Sequence, residues 1–226
     1  MLLYYITNRK GLAGNEAQQR DAVLRKIADA ARAEVDYIQL REKDLSARDL
    51  ERLARDAVRT IGETCSATKL LVNGRADIAL ACGADGVHLP GGEVRASEIR
   101  SLWKKCSDRE PWIGVSAHSD EEVREAQADG ANFAVLAPIF EKVQTELKGI
   151  GLETLRLACA RSQTHTKVDV PHQGGFTVLA LGGVTTLNAR ACLRAGAAGV
   201  AGIRIFQNCD MVDTVRRLRE HGDSPK

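Results

Sequence analysis

Eight short apolar runs, each followed by a helical stretch, predict a single (β/α)8 TIM barrel across the 226 residues of this chain. The runs are apolar throughout and do not alternate, as a parallel strand does when both faces are covered. Three small-residue phrases, ACGADGVHL, ADGANFAVL and RAGAAGVAG, each end a helix and lead into a run. Gly83, Gly130 and Gly196 are the expected helix stops there. One turn chemistry recurring in successive units suits a rotationally repeated barrel. An open doubly wound sheet is the competing arrangement, but no G-x-G-x-x-G follows the first run.

Taken in order, strands are expected at Leu2–Thr7, Tyr37–Leu40, Leu70–Val72, Gly86–His88, Trp112–Val115, Phe133–Leu136, Phe176–Ala180 and Gly199–Ile203. Helices are expected at about 17–34, 46–62, 75–82, 97–106, 119–129, 151–161, 187–195 and 211–220. Val23, Ile27 and Ala30, and Leu50, Leu53, Ala54 and Ala57, recur at the spacing of a one-sided helix. The chain reads as one domain over 1–226, with the barrel proper at about 2–206. Two segments break the rhythm. Residues 137–150 follow strand six, so they belong to the catalytic face, where a long loop is expected to act as a lid. Residues 162–175 precede strand seven, so His165 and His172 belong to the opposite face and are expected to be surface residues without chemistry.

Composition sets bounds. Hydrophobic residues at 44% are ample for one core, and 32 basic against 30 acidic residues leave no field that favours nucleic acid or membrane. The first residues lack a basic region and an apolar stretch of the signal-peptide kind, and no run approaches the roughly 20 apolar residues of a membrane span. A cytoplasmic protein is expected. Six cysteines, without a C-x-x-C pair, predict neither a disulfide framework nor a zinc site. Cys82 and Cys192 fall in Ala-rich helical patterns and read as small buried apolar residues.

Barrel chemistry is expected at the C-terminal ends of the strands. After strand two, alternation sends Gln39, Arg41 and Lys43 to one side, where an amide, a fork-shaped guanidinium and an ammonium suit a phosphate or diphosphate. Asn73 after strand three either reaches the ligand or caps the next helix. His88-Leu89-Pro90-Gly91-Gly92-Glu93 follows strand four, and Ser116-Ala117-His118 follows strand five. The His118 imidazole suits proton transfer near neutrality, or it bridges two loops. Gly182-Gly183 after strand seven and Gly202-Ile203 after strand eight are the strongest signal. Barrel phosphate sites use these two loops, and glycine lets backbone N–H groups come close to the oxygens.

Together Tyr5-Ile6-Thr7, Gln39-Leu40-Arg41-Glu42-Lys43-Asp44, Gly86-Val87-His88-Leu89, Gly114-Val115-Ser116-Ala117-His118, Ala137-Pro138-Ile139-Phe140 and Gly182-Gly183-Val184-Thr185 resemble the thiamine phosphate synthase/TenI family, in order, up to about Phe206. The resemblance implies a barrel enzyme of thiamine biosynthesis that binds a thiazole phosphate at the glycine loops and forms a small homo-oligomer. Two chemistries occur in that family. A synthase joins hydroxymethylpyrimidine diphosphate to the thiazole phosphate with Mg2+. Gln39, Arg41, Lys43, Asn73 and Ser116 match its diphosphate and substrate grip. This chain departs from the synthase pattern at Gly74, where an aspartate is usual, and at Glu93, the one candidate metal ligand left. The usual Thr-x-Thr-Lys is also missing, with Lys142 or Lys148 as the available substitutes. Those departures favour a TenI-like thiazole tautomerase, which needs no cofactor. In that reading His118 is the acid/base and Arg41 or Lys43 holds the ring carboxylate. A non-catalytic binder of thiamine intermediates is the third reading.

Overall fold

A run that is apolar on both faces needs cover on both, and a closed parallel sheet wrapped by helices supplies it. The computed structural model describes residues 1–92, 94–141, 148–163 and 175–222. Strands Leu2–Ile6 (β1), Tyr37–Leu40 (β2), Lys69–Asn73 (β3), Gly86–Leu89 (β4), Trp112–Ala117 (β5), Phe133–Leu136 (β6), Thr177–Ala180 (β7) and Gly199–Gly202 (β8) pair in parallel in chain order. β1 also pairs with β8, with Leu2 opposite Gly199, so the sheet closes into a TIM barrel.

Helices α1 (Glu16–Arg32), α2 (Ala47–Gly62), α3 (Ala76–Cys82), α4 (Ala96–Cys106), α5 (Asp120–Ala128), α6 (Gly151–Gln163), α7 (Ala189–Arg194), α8 (Arg204–Gln207) and α9 (Met211–Gly222) complete the units. Polar side chains at the start set some of these helices. Asn15 and Gln18 form a reciprocal capping box on α1, and the Ser46 hydroxyl accepts from the Asp49 N–H on α2. Glycine ends them. Gly83, Gly130 and Gly196 all have positive φ, as the repeated phrases predict. The inner helix faces, with Val23, Ile27, Leu53 and Ala57 fully buried, pack on the outward side chains of the strands.

The barrel interior is a separate cluster built on Tyr4, Tyr37, Leu71, Phe133, Val135 and Leu179. Its rings interlock: Phe133 stacks on Tyr37 at 5.1 Å between centroids and meets Tyr4 edge-on at 5.3 Å. Glycine makes the room. A Cβ at Gly114 would lie 2.5 Å from the Phe133 ring.

The element reading needs corrections at several strand ends: Thr7 lies outside β1, while Lys69 joins β3 and Leu89 joins β4. β3 and β5 extend to Asn73 and Ala117, which brings more of the site residues onto strands. Phe176 lies outside β7. β8 stops at Gly202 because Ile203 has helical dihedrals and opens α8, a turn that the apolar phrase Gly-Ile-Arg-Ile-Phe concealed. His165 and His172 lie outside the described residues, as does 142–147, the centre of the expected lid. No helix among the described residues is long and apolar enough to cross a membrane.

Candidate active site

Side chains two residues apart along a strand share a face, so the interior positions of Tyr4, Tyr37 and Leu71 carry upward to Ile6, Gln39 and Asn73. Gln39 is buried inside the barrel, two residues above Tyr37. Asn73 ends β3 directly opposite His88 of β4. It is not a helix cap: Arg75 occupies that position of α3, without a side-chain capping bond. Asn73 is therefore available to a ligand. Gly74 next to it has a φ of 64° and donates its N–H to the His88 carbonyl at 2.8 Å.

Arg41 is half-buried at the rim, and its charge lies close enough to His88 to help lower that imidazole's pKa. A brace from β1 holds its backbone. The Arg41 N–H donates to the Thr7 hydroxyl at 3.0 Å, and that hydroxyl donates to Glu42 at 2.6 Å. Glu42 is buried and also accepts from the Arg9 N–H, while the Arg9 guanidinium grips Asp44 through two bonds of 2.9 and 2.7 Å. Burial pushes the Glu42 carboxyl up, against the Thr7 and Arg9 bonds that pull it down. Arg9 holds Asp44 down at about 2.

Lys43 does not follow Gln39 and Arg41. The strand ends at Leu40, so alternation lapses, and Lys43 is exposed in the turn that follows. Ser116 is the last interior position of β5, with its hydroxyl 2.9 Å from His88 Nε2. His118 is exposed, and its Nδ1 donates to the Ala137 carbonyl at 2.8 Å. It thus bridges the loops after β5 and β6. Lys148 is exposed at the end of the loop after β6.

Gly182 and Gly183 have φ values of 95° and 65° and lie against that loop. A Cβ on Gly182 would meet Pro138 at 2.7 Å, and one on Gly183 would meet Phe140 at 2.7 Å. Ile139 and Phe140 donate to the Leu181 and Gly182 carbonyls, which ties the two loops together. Gly182, Gly183, Thr186, Gly202, Ile203 and Arg204 border a cavity of about 690 Å3 that runs on toward the start of α9. That volume suits a small molecule. Glycine backbone and an arginine at the opening of α8 suit an anionic end of it.

A divalent ion fares less well. Glu93 lies outside the described residues, Gly74 has no side chain, and Asp77 is bound by Arg75 at 2.6 Å. Among the described residues no three potential ligands gather, so they do not by themselves offer the hard oxygen set that Mg2+ prefers.

Sequence reasoning left His88 as a strand end. Counting in twos from the interior would have placed it beside Ser116, because Gly86, His88 and Pro90 share a face. Its partner Tyr4, 84 positions away, carries no such local signal.

The family model described as thiamine monophosphate synthase matches residues 3–206. A Moorella thermoacetica protein named thiamine-phosphate synthase is 38% identical over 189 residues, covering 81% of this chain and 80% of its own length. A Clostridium acetobutylicum protein of the same name is 32% identical over 200 residues, covering 88% of this chain and 83% of its own length. A solved structure, thiamine phosphate pyrophosphorylase from Pyrococcus furiosus, superposes with a TM-score of 0.74 at 26% identity, over 97% of this chain and 94% of that one.

Proposed function

This chain is an enzyme of the thiamine phosphate synthase/TenI family, and from that premise we propose that it joins hydroxymethylpyrimidine diphosphate to a thiazole phosphate. The bond from the pyrimidine methylene carbon to the diphosphate oxygen breaks, and its electron pair leaves with the diphosphate. The thiazole nitrogen then supplies the pair for the new carbon–nitrogen bond. Coupling replaces the tautomerisation that Gly74 and Glu93 favoured, because the relatives named above are synthases over most of their length.

The single observation that carries the reading is the division of the barrel mouth. The thiazole phosphate is assigned to the cavity bounded by Gly182, Gly183, Gly202 and Ile203. The diphosphate is assigned to the other side, where Gln39 and Arg41 flank Leu40 at the end of β2 and Asn73 ends β3. A departing diphosphate gathers negative charge, and a guanidinium fork stabilises that charge as it develops. Ser116, at the end of β5, is assigned to the pyrimidine. Lys43 and Lys148, both exposed, are assigned only a supplementary attraction for the diphosphate. His118, bonded to the Ala137 carbonyl, is assigned to holding the two loops and not to acid–base work. Mg2+ would supply further neutralising charge, but the described donor set does not call for it, so no step here depends on the ion.

The test is to incubate purified protein with both substrates, with Mg2+ and again with EDTA, and to follow thiamine phosphate and diphosphate. Stoichiometric formation of both products is expected. Loss of that formation in EDTA would bring Glu93 in as a ligand. No coupling in either condition, together with proton exchange on the thiazole carboxylate phosphate, would instead establish the tautomerase. Thiazole phosphate binding with neither reaction would establish the non-catalytic binder.

A further inference from the structure

His88 is a titratable side chain sealed in the barrel, and none of the steps above uses it. Its two nitrogens are both engaged. Nδ1 is 3.1 Å from the Tyr4 hydroxyl, and Nε2 is 2.9 Å from the Ser116 hydroxyl. The Tyr4 and Phe133 rings lie against the buried imidazole, and Tyr37 packs on both. Burial, aided by the Arg41 charge, pulls the imidazole down from 6.5 to about 3. It therefore carries one N–H and one lone pair, and it has to donate on one side and accept on the other.

Tyr4 decides which. Burial raises its hydroxyl well above 10.0, so the phenol keeps its proton. Its buried hydroxyl lies 3.1 Å from His88 Nδ1, and a buried phenol proton needs an acceptor, which that nitrogen supplies. The phenol proton is left for His88 Nδ1, and the imidazole N–H is left for Ser116. We infer that His88 is a positioning residue: a one-way hydrogen-bond chain, Tyr4 to His88 to Ser116, makes Ser116 Oγ an acceptor within the barrel and turns its O–H toward the ligand. The mouth thus offers one fixed donor, the Ser116 O–H, before any substrate arrives, which avoids a reorganisation cost on binding.

The role in the reaction rests on the coupling proposed above, but the polarity of the chain does not. Nitrogen-15 imidazole spectra of the unliganded protein are expected to show His88 as the neutral Nε2–H tautomer throughout the neutral range. An Nδ1–H tautomer or an imidazolium there would overturn the inference whatever the enzyme's reaction. Two substitutions then test the role. His88→Gln places an amide N–H where Nε2 stood and is expected to keep turnover within about threefold of wild type. His88→Asn reaches only the Nδ1 position and is expected to lower kcat/KM for the pyrimidine substrate about tenfold, the order of one lost hydrogen bond, with thiazole phosphate KM unchanged. Equal losses in both variants, or losses that follow melting temperature, would reduce His88 to packing and contradict the inference.

Discussion

At the level of single residues, burial decides what each polar side chain can do. His88 titrates near 3 in the folded protein against 6.5 for a free imidazole. Between those values the unfolded chain binds a proton that the native chain does not, so His88 makes stability fall as pH drops from 6.5 toward 3. A His88→Gln protein lacks that group, and its urea midpoint is expected to fall less steeply across the same range. Parallel curves for the two proteins would show that His88 is not held neutral. Arg41 acts by shape as well as charge. Arg41→Lys keeps the cation but loses the fork, and KM for the pyrimidine diphosphate is expected to rise about tenfold while thiazole phosphate KM stays put. A rise in both KM values would place Arg41 at neither end in particular.

Loops and strands set the positions that those residues occupy. The glycine pair after β7 reads from sequence as a phosphate cradle, and the structure adds a second demand on it. Both glycines adopt a left-handed backbone, and both lie too close to Pro138 and Phe140 to accept a side chain. Gly182→Ala is therefore expected to cost about 1–3 kcal/mol in a thermal or urea melt and to raise KM for thiazole phosphate. An unaltered melt with normal kinetics would mean that the loop has room to move. The limits of the sequence reading fall at this scale too. Periodicity located every strand, because each is a distinct apolar run. It failed at Lys43, where alternation was carried past the last strand residue, and at Ile203, where one apolar phrase crosses from β8 into α8. The Thr7–Glu42–Arg9–Asp44 brace joins residues up to 35 positions apart, which no local pattern reveals.

For the molecule as a whole, closing the sheet brings the end of β1 next to the ends of β2 and β8, and the proposed function divides the mouth they share into two halves. The barrel and the glycine loops were legible because repeated β-then-α units and their turns leave a strong trace in one sequence. The choice between coupling and tautomerisation was not, because it turned on two altered positions, Gly74 and Glu93, whose effect depends on groups brought in from other strands. A crystal structure of the protein with bound thiamine phosphate tests the two-halves arrangement most directly. The account predicts the phosphate against Gly182, Gly183, Gly202 and Ile203, with the pyrimidine ring between Gln39 and Ser116. A phosphate lodged instead beside Arg41 and Asn73, with the glycine cavity empty, would contradict it.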